Sequence, residues 1–302
     1  MNHAKTEAEG RQVLPYLAEL FQQLYLKPEP EGNPLYKSVV LAGEDAPDSD
    51  LSHFIMDERD SCVLLDTPAG PVRTVTLHQR RDFETALHCI ATKTKITDIP
   101  ATQGASILDG VISWSKIRAH QEEYLKTADD WDEEFGRFTK DKANYTEALI
   151  LLSYGPYSAV SGSVFGYGEA EWNRYSDTIR KYHECTHFVC RRLYHDQIHA
   201  IWDELVADAA GITAAFGQYD LKMAEVFLGI ENGRYTGGRL ENYEEDKSPE
   251  ALNRLAEAVH AVLLKIEARL KELSGQDVFD QMIRLEELQN TFLNGTMLAK
   301  TA

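Results

Sequence analysis

Two histidines stand four residues apart in the sequence HECTH, which occupies residues 183–187. Residues 172–194 around this motif contain no proline, and their pattern predicts one uninterrupted helix. Side chains four positions apart lie on the same face of a helix, so His183 and His187 can reach a single metal ion. Glu184 is displaced toward the side on which a coordinated water would lie. Two histidines leave room for a third protein ligand and a water, which is the open arrangement of a hydrolytic zinc site.

A second pair of metal-site residues follows in the sequence DELVAD at residues 203–208. Glu204 and Asp208 are again four positions apart and share one helical face. We expect Glu204 to be the third zinc ligand. Asp208 would accept a hydrogen bond from the far ring nitrogen of a ligating histidine and so fix the tautomer of that ring. The residues between the two motifs are numerous enough to end the first helix and return antiparallel as a second one.

The combination of HExxH and ExxxD, spanning residues 183–208, resembles the motif of the zinc metallopeptidases called gluzincins. The resemblance implies hydrolysis of peptide bonds, with three zinc ligands, a supporting carboxylate and Glu184 as the general base. By this resemblance the ligands are His183, His187 and Glu204, and the supporting carboxylate is Asp208. The gap between the two motifs is slightly shorter than in the best-known members, and the resemblance does not extend over the rest of the chain.

A hydrolase of this kind also needs a proton carrier and a donor to the oxyanion. Zinc lowers the pKa of a coordinated water toward about 7, so Glu184 can accept its proton during attack on a carbonyl and pass it to the leaving amine. For the oxyanion donor we favour Tyr235 or Tyr243, because both lie in a glycine-containing loop that could fold over a cleft. The further candidates are Arg234, Arg239, His260, Tyr154 and Tyr157.

Other interpretations of these residues remain open. The chain could be a metalloprotease-like module that binds zinc for a binding or regulatory role, although a structural metal has no need of a general base such as Glu184. It could also be a helical protein without a metal, although polar residues facing one another between helices are costly unless paired. Cys190 could replace Glu204 as a ligand, but a buried cysteine more often packs as a small apolar residue. His195 and His199 are more readily explained as solvated or capping residues than as a second metal pair.

Composition excludes several classes of partner. The chain has 302 residues, 31 basic against 49 acidic side chains and a net charge of −18, so its field should repel nucleic acid and anionic membranes. No apolar run is long enough to cross a bilayer, and the N-terminus lacks the apolar core of a signal peptide. The four cysteines are too few for a disulfide framework. We therefore expect a cytoplasmic protein. The resemblance to gluzincins implies a peptide or protein substrate as its partner, and the oligomeric state stays open.

The remaining patterns predict an α+β fold that is predominantly helical. We expect a mixed α/β region over residues 1–142 and an α-rich zinc-binding region over residues 143–302. The two regions could also form one continuous domain. The N-terminal region should contain a hairpin formed by the β-like runs 62–65 and 72–77. Two long helices should close the chain.

Finer expectations concern five segments. Residues 82–92 and 107–124 have helical periodicity, and residues 148–153 form either a buried strand or a helix end. If a strand, this last segment could lie at a sheet edge and pair with an extended peptide, but a core strand is the more common case. The two closing helices are predicted over residues 251–273 and 278–298, separated by a turn at Ser274 and Gly275.

Overall fold

The computed structural model describes residues 4–8, 10–194, 198–293 and 298. Helices account for 53% of the residues and strands for 14%, which confirms the predicted α+β, mostly helical fold. No helix in the described part of the chain is long and apolar enough to cross a membrane. The chain divides into two compact units whose sequence boundary lies between Tyr154 and Gly155.

The N-terminal unit contains a five-stranded sheet and four α-helices. Its strands are β1 (Ala4–Thr6), β2 (Ser61–Thr67), β3 (Gly70–Leu77), β4 (Ala105–Ile112) and β5 (Thr146–Ser153). Its α-helices are α1 (Val13–Leu20), α2 (Arg80–Ile90), α3 (Trp114–Tyr124) and α4 (Trp131–Phe138). Short 3-10 or π-helical turns occupy Gln22–Tyr25, Lys37–Leu41 and Lys142–Asn144. The predicted hairpin is confirmed by the neighbouring strands β2 and β3, and α2 confirms the helix predicted over residues 82–92.

The strand order of this sheet is β1-β2-β3-β5-β4. Strand β5 pairs parallel with β3, with Arg73 opposite Leu149, and antiparallel with β4. It is therefore an inner strand, which explains its run of fully buried residues from Leu149 to Leu152. The structure contradicts the idea that residues 148–153 offer a free edge to a peptide. Because β5 pairs with N-terminal strands, the compact N-terminal unit extends beyond residue 142, where the sequence suggested the division.

The helix predicted over residues 107–124 is wrong in its first part, which forms strand β4. The register of β4 against β5 shifts between Leu108 and Val111, and Gly110 has a positive φ of 69° there. Ile107 and Val111, four positions apart, have the spacing of one helical face, although both lie in β4. Only α3 confirms the helical prediction.

The C-terminal unit is a helical assembly. Its helices are α5 (Glu169–Leu193), α6 (Ala200–Phe216), α7 (Leu221–Leu228), α8 (Pro249–Glu272), α9 (Val278–Glu286) and α10 (Gln289–Leu293). The short strands β6 (Ile230–Glu231) and β7 (Arg234–Tyr235) form a hairpin after α7. Further 3-10 turns occupy Tyr157–Ala159, Gly162–Phe165 and Arg239–Tyr243. Helix α8 confirms the first predicted closing helix, but the second ends at Glu286 and is followed by the separate α10.

Helices α5 and α6 form the most extensive helix pair of this unit. Gly211 of α6 lies against the backbone of α5, and a Cβ at this position would come within 2.6 Å of the Ile179 carbonyl oxygen. This close approach requires glycine. The interface around it is apolar and fully buried, with Leu205, Ile212 and Val189 at 0% exposure. The close packing holds the two helices together one turn away from the polar residues of the motifs.

Candidate metal centre

The facing sides of α5 and α6 bring three predicted ligands together. The Nε2 atoms of His183 and His187 are 3.0 Å apart. Each lies 3.6 Å from a carboxylate oxygen of Glu204, His183 from Oε2 and His187 from Oε1. The histidines are buried and Glu204 is half-buried. One donor atom from each residue therefore lies within 4.8 Å of the other two, as in a group that could hold a metal ion.

The far nitrogen of each histidine faces a carboxylate. His183 Nδ1 lies 3.0 Å from Asp208 Oδ1, and His187 Nδ1 lies 2.7 Å from Asp203 Oδ2. A neutral imidazole that donates through Nδ1 keeps its Nε2 lone pair free for a metal. The structure thus places Asp208 where the sequence predicted it, behind His183. Asp203 takes the equivalent position behind His187.

Tyr157 and Arg239 surround the carboxylate of Asp208. The buried hydroxyl of Tyr157 donates to Asp208 Oδ1 at 2.7 Å and lies 2.9 Å from His183 Nδ1. Arg239 forms an ion pair with Asp208 Oδ2 and donates to the Tyr157 oxygen at 3.1 Å. Burial alone would raise the pKa of Asp208, but the Arg239 charge and the bonds from His183 and Tyr157 lower it to about 2. Asp208 is therefore a fixed anion behind the His183 ring.

Irregular backbone places these two supporting residues. Ser158 and Ala159, directly after Tyr157, have positive φ values of 53° and 57°, a conformation that L-residues rarely adopt and that is typical of functional sites. Arg239 follows a loop in which Gly229 and Gly238 are in contact through their backbones, and a Cβ on Gly229 would clash with the Gly237 carbonyl. The loop therefore depends on glycine for the path that brings Arg239 to Asp208.

The electrostatics of the centre favour a cation. Burial lowers the pKa of His187, but the hydrogen bond and charge of Asp203 and the charges of Glu204 and Glu184 outweigh it and raise the pKa to about 9. With both rings donating through Nδ1, two imidazole nitrogens and a carboxylate face one another as acceptors. Such an arrangement is unfavourable without a proton or a metal ion between the acceptors. Two neutral imidazoles and one carboxylate are the donor set of catalytic zinc sites, so these residues fit zinc.

The structure separates the residues predicted to act in catalysis. Glu184 is half-buried, and its charge acts on the His187 ring. Burial and then the charge of Glu204 raise the pKa of Tyr243. The Tyr235 hydroxyl lies elsewhere, within hydrogen-bonding distance of Glu241 Oε2 at 2.7 Å and of the Gly238 carbonyl oxygen at 3.1 Å. That hydroxyl stabilises the loop after the β6-β7 hairpin.

Sequence reasoning missed some of the contributing residues. It gave Asp203 no role, although Asp203 is an acidic residue directly before Glu204 in the sequence. Tyr157 and Arg239 were considered only as oxyanion donors, whereas here they support Asp208. The Cys190 thiol donates to Glu286 Oε1 at 3.5 Å and belongs to a separate group of side chains. His195 lies outside the described residues.

The comparisons with known proteins give a family and no activity. Residues 3–299 match a family described as a family of unknown function (DUF7005). No curated protein and no solved structure matches the chain.

Proposed function

The chain belongs to DUF7005, a family of unknown function, and we propose that it is a zinc-dependent hydrolase that cleaves peptide bonds. The observation that supports this proposal is the convergence of His183 Nε2, His187 Nε2 and the Glu204 carboxylate, with separations of 3.0 and 3.6 Å. Three protein ligands would leave an open position, as in hydrolytic zinc sites. The resemblance of the motifs to those of gluzincins gives the peptide bond as the substrate class.

The ligands would be His183, His187 and Glu204. Zinc bound there would supply Lewis acidity, which polarises a carbonyl and makes a water molecule more acidic. Asp203 and Asp208 hold the two rings in the tautomer that leaves each Nε2 free. The Arg239–Asp208 ion pair and the Tyr157 hydroxyl keep the Asp208 carboxylate in place.

Glu184 would move the proton. It follows His183 directly on α5 and is not needed as a ligand, so its carboxylate is free to accept a proton from the attacking water and to deliver it to the leaving amine. Tyr243 is better placed than Tyr235 to donate to an oxyanion, because it lies near enough to the candidate ligand Glu204 for the Glu204 charge to raise its pKa. The Tyr235 hydroxyl is engaged with Glu241 and Gly238.

The test combines metal analysis with turnover of a peptide library by the full chain. Wild-type protein should contain zinc and cleave peptides. Glu184→Gln should keep the zinc and lose about 10²- to 10⁴-fold in turnover, because an amide cannot accept the proton. Glu169→Gln, an exposed position in the first turn of the same helix, is the matched control and should change neither property.

Two further variants test the ligands and the oxyanion donor. Glu204→Gln should weaken zinc binding, and Tyr243→Phe should lower turnover more than Tyr235→Phe does. Full activity in Glu184→Gln would refute the mechanism. Zinc retained by a wild-type protein that cleaves no peptide would favour a catalytically silent binding or regulatory module instead.

A further inference from the structure

A second group of metal-binding side chains lies behind His187 in the C-terminal unit. Cys190 of α5, Asp203 of α6 and Glu286 of α9 each offer a donor atom within 4.8 Å of the other two. The Cys190 thiol is 1% exposed and Glu286 is 7% exposed. Three helices therefore place a buried sulfur, a buried carboxylate and the half-buried carboxylate of Asp203 together.

Asp203 faces both groups. Its Oδ2 accepts the hydrogen bond from His187 Nδ1, while its Oδ1 is buried and has no hydrogen-bond partner among the described residues. A buried carboxylate oxygen without a donor loses the stabilisation that water gave it in the unfolded chain. This free oxygen, together with the neighbouring thiol and carboxylate, indicates that a ligand belongs there.

Among the described residues, the ion pair of this group is the one between the His187 ring and Asp203 Oδ2, 2.7 Å apart, and no lysine or arginine pairs with it. Glu286 accepts hydrogen bonds from neutral donors, Trp202 Nε1 at 2.9 Å and the Cys190 thiol at 3.5 Å. Buried acidic groups at this separation repel one another when ionised, and a divalent cation would remove that repulsion.

We propose that Cys190, Asp203 and Glu286 form a second zinc site, distinct from the His183–His187–Glu204 centre. A thiolate with carboxylates suits zinc, whereas magnesium and calcium prefer oxygen ligands alone. Binding forms a zinc–sulfur bond, and the thiol proton of Cys190 leaves to solvent, as does the proton of Glu286 where that group is protonated. Asp203 then joins the two sites, through Oδ1 to the second zinc and through Oδ2 to the ring of His187. The proposal stands on these residues alone and does not require hydrolytic activity.

The test uses Co²⁺ as a spectroscopic replacement for zinc in the full-length chain. A cobalt ion bound by a thiolate gives a sulfur-to-metal charge-transfer band in the near ultraviolet, which histidine and carboxylate ligands do not give. We expect this band and about two metal ions per chain in the wild-type protein. Cys190→Ser and Glu286→Gln should each lose or weaken the band and lose about one ion per chain.

Cys185→Ser is the matched control. Cys185 lies on the same helix and is 0% exposed, but it belongs to neither metal-binding group of the described residues. This variant should keep the band and the wild-type metal content. If Cys190→Ser fails to fold, Glu286→Gln and the wild-type spectrum still decide the question. A wild-type spectrum without the band at saturating Co²⁺ would overturn the proposal, as would a band lost in Cys185→Ser and kept in Cys190→Ser.

His183→Ala separates this proposal from the proposed function. It removes a ligand of the first centre and none of the second, so it should lose about one ion per chain and keep the charge-transfer band. A wild-type protein that shows the band but cleaves no peptide would leave the second site standing while the hydrolase proposal falls. A wild-type protein that cleaves peptides but shows no band would support the hydrolase proposal and refute the second zinc site.

Discussion

Both compact units bury a group of charged side chains, but only one of the groups contains its own central cation. In the N-terminal unit, Arg73 lies between Glu7 and Glu147 and forms an ion pair with each, its side chain only 10% exposed. In the C-terminal unit, His183, His187 and Glu204 face one another with acceptor atoms. The nearby Arg239 is paired chiefly with Asp208. Arg239 also lies 3.8 Å from Glu204 Oε2. The first group has its cation at its centre, whereas we propose that the second receives one from solution.

The contrast shows how a buried polar group can be assigned to structure or to function. A buried carboxylate needs a partner of opposite charge or several hydrogen bonds. Where the chain supplies the partner, as Arg73 does, the group fixes the fold. Where the chain supplies only acceptors that face one another, we propose that the missing partner is a ligand.

The largest effect is expected from removing Arg73, the cation of the N-terminal group. Arg73→Met would leave the half-buried Glu7 without its ion-pair partner and would leave Glu147 with the more distant Lys116, 3.7 Å away. It should lower the free energy of unfolding by about 3–5 kcal/mol. Denaturant unfolding measures this loss, and zinc content should not change. Arg11→Met is the control, because its pair with Glu19 is exposed and should contribute less than about 1 kcal/mol. Equal effects of the two substitutions would contradict the idea that Arg73 completes its group.

The sequence predicted the ligand set because helix periodicity is a local property. Four-residue spacing places His183 with His187 on one helix and Glu204 with Asp208 on the next, whatever the rest of the chain does. Whether the two helices approach each other depends on Gly211 and its contact with Ile179, which no spacing reveals.

Residues whose partners are distant in sequence were harder to assign. Tyr157 lies 51 residues from Asp208, and Arg239 lies 82 residues from Tyr157, so only the fold brings them together. Strand β4 was missed because Ile107 and Val111, both in the strand, are four positions apart and so share the spacing of a helical face. The choice between Tyr235 and Tyr243 likewise depends on loop geometry that sequence does not fix.

A smaller effect is expected from replacing Asp208, which supports the His183 ring of the candidate metal centre. Asp208→Asn removes the anion that His183 and Arg239 both contact, so the His183 tautomer is held less firmly. Zinc affinity should fall by about 10- to 100-fold, measured by competition with a fluorescent chelator. Asp280→Asn, at an exposed position of α9, should leave the affinity unchanged. Unaltered zinc affinity in Asp208→Asn would remove Asp208 from the metal centre.

The smallest effect is expected from replacing Glu147, one of the two acidic partners of Arg73. In Glu147→Gln, Arg73 keeps its two contacts with Glu7, at 2.6 and 3.3 Å, and the amide oxygen can still accept a hydrogen bond. The free energy of unfolding should fall by about 1 kcal/mol, well below the loss in Arg73→Met, and zinc content should stay the same. Parallel denaturant unfolding of the two variants makes the comparison. A loss in Glu147→Gln as large as that in Arg73→Met would mean that both acids are required, so that the group depends on its full charge balance and not on the arginine alone.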